Sequence, residues 1–341
     1  MAAVHDRHNR PLRNLRLSVT DRCNLRCSYC MPEQDYVWLA QKHILHFEEI
    51  TRLVGAFHHL GVDRLRITGG EPLLRRELDV LVAMLASKYN LQDLAMTTNA
   101  VLLDKHAEAL RKAGLHRITV SLDTLDRETF RMLARRDDLG RVLDGIAAAR
   151  AAGFAQLKLD TVVIAGVNDN ELPALVEFAR DQEAEIRFIE YMDVGGATRW
   201  RPESVVTRAQ MLEELRQHFG PIEALPRTDS APAERFRLSC GTTFGIIASV
   251  SEPFCATCDR SRLTADGMWF RCLYAREGSD LRRLVRSGID DAELAAEIAA
   301  QWQLRTDRGA EQRLGLRQRS ALAGHDSLKN NPHLEMHTRG G

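Results

Sequence analysis

The sequence has no excess of charge of either sign and no long apolar run. Its 341 residues include 47 lysines and arginines against 47 aspartates and glutamates. General DNA-binding proteins usually show a clear basic excess, so this balance argues against that class. No stretch approaches the roughly 18 consecutive apolar residues that a membrane span needs, and the first residues show no secretory signal. These absences predict a cytoplasmic protein without a membrane or DNA partner.

Cysteines are few, odd in number and clustered. Six of the seven fall into two groups, which are Cys23, Cys27 and Cys30 near the start and Cys255, Cys258 and Cys272 near the end. Disulfide frameworks are rare in the cytoplasm. Clustered cysteines in a reducing compartment instead indicate a metal site.

Short apolar runs alternate with amphipathic stretches through most of the chain. Six runs are predicted to be strands, at 15–19, 64–68, 91–97, 117–122, 157–164 and 186–190. Strands separated by helices predict an α/β fold with a parallel sheet, either a partial TIM-like barrel or an open doubly wound sheet. Beyond residue 220, strands follow one another without long helices, which predicts a small antiparallel sheet.

This change of pattern predicts three regions. They are a barrel or open sheet over 1–220, a small domain over 221–303 and a tail over 304–341. The tail is polar, rich in arginine and poor in apolar residues, so we expect it to be flexible.

The first cysteine group has the spacing C-x3-C-x2-C and directly follows the first predicted strand. Its loop therefore lies at the carboxyl end of that strand, the edge that carries chemistry in α/β folds. Three thiolates on one loop can bind three irons of a 4Fe–4S cluster and leave the fourth iron open. Structural zinc is the alternative, but zinc usually takes four protein ligands, and we find no fourth cysteine or histidine at ligand spacing nearby.

The second group has the spacing C-x2-C followed by a predicted hairpin. A two-residue turn at Asp266 and Gly267 pairs residue 261 with residue 272 and so returns the third cysteine to the other two. A zinc ribbon is a serious alternative for this spacing. Arg260 and Arg262 point to the same face of the strand. Either this face is exposed to solvent or the two guanidinium groups contact a nucleotide.

Further motifs accompany these two groups, and together they resemble the GTP 3′,8-cyclase family of radical S-adenosylmethionine (SAM) enzymes. The motifs are the segments 15–23, 30–32, 65–72, 97–99, 188–194 and 255–262 and the terminal Gly-Gly pair. The resemblance implies a partial TIM-like (β/α)6 radical SAM barrel with a small C-terminal antiparallel-sheet domain that carries a second cluster.

The resemblance also implies the cofactors and the reaction. The cofactors are SAM and two 4Fe–4S clusters, one on each cysteine group. A 5′-deoxyadenosyl radical from SAM removes hydrogen from C3′ of GTP, and the sugar carbon attacks C8 of guanine. The product of this lyase is (8S)-3′,8-cyclo-7,8-dihydroguanosine 5′-triphosphate, the first intermediate of molybdenum-cofactor biosynthesis.

Individual residues receive roles from the same resemblance. SAM contacts are implied for Tyr29, Gly70, Ser121 and Met192. GTP contacts are implied for Arg16, Arg64, Arg66, Thr97, Lys158, Arg187, Arg260 and Arg262. The three N-terminal cysteines are implied to be catalytic, together with Gly340 and Gly341, which lack side chains and so can thread a narrow channel.

The resemblance also implies partners, and the sequence departs from the family pattern at two places. An electron donor of flavodoxin or ferredoxin type and a downstream cyclic pyranopterin monophosphate synthase are implied besides GTP, and a homodimer is an allowed assembly. The arginine-rich segment 304–324 and Arg339, at an expected apolar position, depart from the family. Two rivals remain, a radical SAM enzyme that modifies peptides and a zinc-stabilised interaction protein without enzymatic activity.

Overall fold

Strands and helices alternate regularly in the first two thirds of the chain. The computed structural model describes residues 3–227 and 229–340. The strands of this part are β1 (Asn14–Ser18), β2 (Arg64–Thr68), β3 (Asp93–Thr98), β4 (Arg117–Ser121), β5 (Lys158–Val163) and β6 (Glu185–Glu190). The helices are α1 (Phe47–His59), α2 (Leu78–Lys88), α3 (Ala107–Lys112), α4 (Arg127–Ala134), α5 (Leu139–Ala151), α6 (Leu172–Asp181) and α7 (Arg208–Phe219).

All six predicted strands are confirmed, because each overlaps one of β1 to β6. These strands pair in sequence order, and every pair is parallel. Parallel neighbours need a crossover connection, which the intervening helices provide. The carboxyl ends of the six strands therefore share one edge of the sheet, and their amino ends share the other.

The C-terminal strands extend both sides of this sheet. They are β7 (Ile222–Ala224), β8 (Glu234–Leu238), β9 (Thr243–Ile247), β10 (Arg260–Leu263), β11 (Met268–Phe270) and β12 (Ser279–Asp280). β9 pairs in parallel with β6 and β10 pairs in parallel with β1, whereas the β7–β8, β8–β9, β10–β11 and β11–β12 pairs are antiparallel. The expected antiparallel strands are thus present, and they join the first sheet.

The hairpin of β10 and β11 is confirmed, but its predicted register is wrong by one residue. We expected a two-residue turn at Asp266 and Gly267. The structure has a three-residue turn, across which the Thr264 amide donates to the Met268 carbonyl at 2.9 Å. Gly267 has a φ of +85°, the left-handed conformation that closes hairpins of this length.

The helices bury one apolar face each against the sheet or against each other. In α1 the buried residues recur at helical spacing, as Ile50, Leu53, Val54 and Phe57. Glu49 completes a capping box at its start, and such a cap is worth about 1 kcal/mol. α1 packs against α8 (Leu281–Arg286) and α9 (Asp291–Gln303). None of the described helices is long and apolar enough to cross a membrane.

Residues 304–340 differ from the flexible tail that we expected. They form α10 (Gly309–Leu314), α11 (His325–Asn330) and α12 (Met336–Arg339). Arg305 and Arg339 are each only 1% exposed. Arg313 and Arg319 both pair with the buried carboxylate of Asp193, at 2.5 and 2.8 Å. Four arginines of this segment are therefore buried or pair with a buried carboxylate, which composition alone does not reveal.

Candidate functional site

A cavity of about 320 Å³ opens at the carboxyl ends of the strands, and all six clustered cysteines line it. We call it the cysteine cavity. Its wall also contains residues that follow β2, β3 and β6, among them Gly69, Asn99 and Tyr191. Two cysteine groups from opposite ends of the chain therefore face one space.

The first group lies in the loop that follows β1. The Ser28 amide donates to the Leu133 carbonyl at the end of α4, at 2.8 Å, and so holds this loop in place. Burial raises the pKa of the Cys23 thiol to about 11, and it also raises the pKa values of Cys27 and Cys30. Thiols in such surroundings become thiolates when a metal binds them.

The residues expected to contact SAM line the same cavity, namely Tyr29, Gly70, Ser121 and Met192. The Tyr29 hydroxyl donates to the Asp123 carboxylate at 2.7 Å and fixes the ring in the wall. A Cβ atom on Gly70 would lie 2.3 Å from the carbonyl oxygen of Arg22. Only a residue without a side chain therefore fits between these two loops.

The second group surrounds the hairpin, because Cys255 and Cys258 precede β10 and Cys272 follows β11. Guanidinium nitrogens of Arg260 and Arg305 lie 3.7 and 3.6 Å from the Cys258 sulfur. Burial tends to raise the pKa of Cys258, but the two arginines outweigh it and lower the pKa to about 7. Burial raises the pKa values of Cys255 and Cys272. The three thiols of this group therefore differ in acidity.

The donor chemistry of both groups fits iron–sulfur clusters. Among the described residues, no three His, Cys, Asp or Glu side chains converge closely enough to hold a single metal ion. In a 4Fe–4S cluster each cysteine binds its own iron, so the cysteines surround the cluster and need not converge. Three thiolates around one space match this arrangement and leave one iron for an exchangeable ligand.

A second cavity, of about 800 Å³, opens at the amino ends of the strands. We call it the basic cavity. Six of the residues expected to contact GTP line it, namely Arg16, Arg64, Arg66, Lys158, Arg187 and Arg260. Burial, followed by repulsion from neighbouring arginines, lowers the pKa values of Arg16 and Arg66 to about 9 and that of Lys158 to about 8. These groups still carry their charge at neutral pH, and such a concentration of cations suits a polyanion.

The two cavities meet, because Arg16, Asp160 and Arg260 line both. The two remaining residues expected to contact GTP, Thr97 and Arg262, line the cysteine cavity. All eight of these residues therefore line one or both of two adjoining cavities.

Asp160 is a residue of this junction that sequence reasoning missed. One of its carboxylate oxygens is buried and has no hydrogen-bond partner among the described residues. It can therefore accept a hydrogen bond from a hydroxyl or amino group of a bound molecule. Its position two residues after Lys158 could have identified it, since alternate residues of a strand share one face.

The end of the tail lies beside the cysteine cavity. Met336 lines this cavity, and Arg262 donates a hydrogen bond to the Gly340 carbonyl. A Cβ atom on Gly340 would lie 2.3 Å from Cγ2 of Thr68, and its φ is +75°. Both the close approach and the backbone conformation thus require glycine. Gly341, which we expected to act with Gly340, lies outside the described residues.

Arg339, which departs from the family pattern, anchors this tail. It donates to the carbonyl oxygens of Leu273 and Ala275, each at 2.6 Å. Its guanidinium lies over the Phe270 ring, 4.1 Å from the ring centre. Planar stacking combined with several directed donors is a task that arginine performs better than lysine.

Two family models match the chain. The Radical SAM superfamily model matches residues 17–179, and the Molybdenum Cofactor Synthesis C model matches residues 184–311. The matched stretches include both cysteine groups.

Curated relatives match nearly the whole chain. GTP 3′,8-cyclase 3 of Mycobacterium bovis is 54% identical over 99% of this chain and 90% of its own length. GTP 3′,8-cyclase of Acidothermus cellulolyticus is 49% identical over 91% of this chain and 88% of its own length. The Staphylococcus aureus (strain JH9) enzyme of the same name is 42% identical over 91% of this chain and 93% of its own length.

Solved structures show the same fold at low sequence identity. Streptococcus suis SuiB bound to S-adenosylmethionine superposes with a TM-score of 0.60, covers 91% of this chain and 72% of its own, and is 16% identical. SuiB bound to the precursor peptide SuiA gives the same TM-score of 0.60 at 18% identity, over 89% of this chain and 70% of its own. A likeness at this identity concerns the fold alone.

Proposed function

The chain belongs to the GTP 3′,8-cyclase family of radical SAM enzymes, and we propose that the cysteine cavity and the basic cavity together form its active site. The enzyme converts GTP to (8S)-3′,8-cyclo-7,8-dihydroguanosine 5′-triphosphate, the first step of molybdenum-cofactor biosynthesis. It uses SAM and two 4Fe–4S clusters. The observation that carries the proposal is that the cavity lined by both cysteine groups and the cavity lined by the buried cations share Arg16, Asp160 and Arg260 in their walls.

Cys23, Cys27 and Cys30 hold the cluster that binds SAM in this proposal. That cluster and SAM supply one-electron chemistry, by which SAM is cleaved and hydrogen is removed from C3′ of the ribose. The protein itself contributes by holding the cofactors and by enclosing the reacting groups. Tyr29, fixed by Asp123, forms part of a wall that excludes water, and exclusion of water prevents side reactions of reactive intermediates.

Cys255, Cys258 and Cys272 hold the second cluster, and the purine lies beside it. Arg262 is only 9% exposed, so the solvated-face interpretation of this arginine does not hold. Arg260 and Arg262 both line the cysteine cavity and present donors to the polar edge of a base. They orient guanine so that C8 faces the ribose carbon that attacks it.

The triphosphate extends into the basic cavity. Arg64, Lys158 and Arg187 lie at or near the amino ends of their strands and line only this cavity. Glu185 pairs with Arg187 at 2.7 Å and neutralises part of the charge before the substrate arrives. A charge-assisted hydrogen bond contributes about 1.5–3 kcal/mol, so several such contacts fix the nucleotide and place its ribose at the junction, near Asp160.

The tail as far as Gly340 closes the site in this proposal. Arg262 holds the Gly340 carbonyl and lines the cavity in which guanine is proposed to lie. Tail and substrate therefore share one arginine, and correct placement of the tail orients this arginine for turnover.

Anaerobic turnover tests the proposal directly. The purified enzyme is reconstituted with iron and sulfide and incubated with SAM, dithionite and each nucleoside triphosphate in turn. We expect about eight irons per chain. We also expect 5′-deoxyadenosine and a cyclised nucleotide to form when GTP is the nucleotide supplied, and not with the other triphosphates. A preparation that retains zinc and takes up no iron would contradict the assignment of both cysteine groups.

Partners and compartment follow from the same chemistry. A flavodoxin or ferredoxin delivers the electron, and a cyclic pyranopterin monophosphate synthase takes the product. Clustered cysteines that hold iron–sulfur clusters fit a reducing compartment such as the cytoplasm. Sedimentation of the holoenzyme tests the homodimer that the family resemblance allows.

A further inference from the structure

A buried ionic cluster lies next to the second cysteine group. It consists of Asp6, Arg10 and Arg305, whose side chains are 0%, 2% and 1% exposed. Asp6 and Arg10 belong to the segment before β1, and Arg305 follows α9. None of these three side chains has a role in the proposed function.

Arg305 contacts Cys258 in two ways. One terminal nitrogen donates to the Cys258 carbonyl at 2.8 Å, and the other lies 3.6 Å from the Cys258 sulfur. Arg10 in turn donates to the Cys255 carbonyl at 2.9 Å. Both arginines thus hold the backbone of the second cysteine group, but only Arg305 also reaches a sulfur atom.

The three fully buried side chains of this cluster comprise two cations and one anion. Asp6 accepts from Arg10 at 2.7 Å and from Arg305 at 3.4 Å, so one carboxylate serves two guanidinium groups. Nη2 of Arg10 and Nε of Arg305 are buried without a hydrogen-bond partner in residues 3–227 and 229–340. Buried charge is costly unless an opposite charge compensates it. Besides Asp6, two anionic groups lie within reach of Arg305, namely the partly exposed carboxylate of Asp307, 3.9 Å from Nε, and the cluster-bearing thiolate of Cys258.

The guanidinium groups beside the second cysteine group are placed closest to one sulfur. Arg260 and Arg305 lie 3.7 and 3.6 Å from the Cys258 sulfur, whereas Arg10 contacts the carbonyl oxygen of Cys255. Positive charge therefore lies beside the Cys258 ligand.

We propose that Arg305 is a positioning residue that raises the reduction potential of the second cluster through Cys258, and that Asp6 limits this effect. The inference rests on the proposed assignment of the second cluster to Cys255, Cys258 and Cys272. Reduction adds negative charge to a cluster, and a donor and a positive charge beside one of its sulfurs stabilise the reduced form. Asp6 partly cancels that charge and therefore acts in the opposite direction.

The experiment uses the reconstituted full chain with both clusters. Potentiometric titrations are followed by electron paramagnetic resonance, and the signal that changes with SAM is assigned to the first cluster and the one that changes with GTP to the second. The variants are Arg305→Gln, Arg305→Lys and Asp6→Asn. Arg317→Gln, an exposed residue of the same C-terminal segment, removes an equal charge and is the matched control.

The expected shifts have opposite signs. Arg305→Gln lowers the potential of the GTP-responsive cluster, Arg305→Lys largely retains it, and Asp6→Asn raises it. The SAM-responsive cluster is the internal reference and stays unchanged, as do both clusters in Arg317→Gln. A purely structural role would shift the Arg305→Gln and Asp6→Asn variants in the same direction or shift both clusters together, and either result overturns the inference.

Iron content separates this inference from the proposed function. If Arg305→Gln loses the second cluster, a raised potential in Asp6→Asn beside a retained potential in Arg305→Lys still decides the case. If the unaltered enzyme has a GTP-responsive signal whose potential is the same in all variants, only the role of Arg305 is wrong. If the unaltered enzyme has about four irons and no GTP-responsive signal, the assignment of the second cluster itself is wrong.

Discussion

At the scale of single residues, Gly340 offers the most direct test of the closed tail. In Gly340→Ala the new methyl group would meet Thr68 at 2.3 Å, on a backbone with a φ of +75°. We expect iron content and SAM cleavage to persist while cyclisation of GTP is largely lost. Chromatography of 5′-deoxyadenosine and of the nucleotide product measures the two steps separately.

The control for this change is Gly324→Ala in the same C-terminal segment, where an added Cβ meets nothing within 4 Å. It should cyclise GTP normally. Unchanged turnover by Gly340→Ala would mean that the end of the tail has no part in the reaction.

Lys158 gives the site a pH dependence of known sign. Burial, followed by repulsion from Arg187, lowers its pKa to about 8. In the proposed active site the charged form of Lys158 binds phosphate, so this contribution is present below that pKa and is lost as the pH rises through it. We expect kcat/KM for GTP to fall above about pH 8, and this limb should move to higher pH in Lys158→Arg. The exposed Lys112→Arg serves as a control, and identical profiles for all three proteins would refute the role of Lys158.

At the scale of elements, the arginine-rich segment with α10 is held by Asp193. This fully buried carboxylate accepts from Arg313, Arg319 and the Tyr274 hydroxyl. Breaking a buried ion pair from one side costs about 3–5 kcal/mol. In Asp193→Asn we expect faster hydrogen–deuterium exchange over α10 and weaker binding of SAM, because the neighbouring Met192 lines the cavity.

Asp137→Asn is the matched surface change, since Asp137 pairs with Arg127 in the open, with side chains 41% and 69% exposed. Such pairs contribute about 0–1 kcal/mol. Equal hydrogen–deuterium exchange over α10 in Asp193→Asn and Asp137→Asn would show that Asp193 does not hold the arginine-rich segment in place.

The same scale shows what the sequence could predict. The six parallel strands were predictable because each is a short apolar run between helical stretches. The start of α7 also has a local signal that sequence reasoning can use, because Thr207 and Gln210 form a capping box there. The packing of residues 304–340 was not predictable, because Arg313 and Arg319 depend on a carboxylate, Asp193, that is distant in sequence.

The residues of the candidate site were likewise predictable only in part. Cysteine spacing is local, so both groups could be found without a structure. The contact between Arg305 and Cys258 and the place of Asp160 between two cavities depend on which segments become neighbours. Neither Arg305 nor Asp160 belongs to a sequence motif, so their positions in the site become visible only in the folded structure.

At the scale of the whole molecule, the two cysteine groups should load independently. Replacing Cys23, Cys27 and Cys30 by alanine should reduce the iron content from about eight to about four per chain and abolish SAM cleavage. Replacing the C-terminal three should halve the iron as well but leave some uncoupled formation of 5′-deoxyadenosine. Iron and sulfide assays together with chromatography give both results, and loss of all iron in either variant would contradict independence.

The position of β9 and β10 at the two sides of the parallel sheet also matters during translation. β1 to β6 emerge from the ribosome first, while the strands that cover β1 and β6 are still unmade. Exposed strand edges are templates for aggregation, and synthesis proceeds at roughly 5–20 residues per second. The nascent chain therefore passes several seconds with two open edges, and a chaperone that shields them should raise the yield of this enzyme more than it would for a protein whose sheet is completed in order.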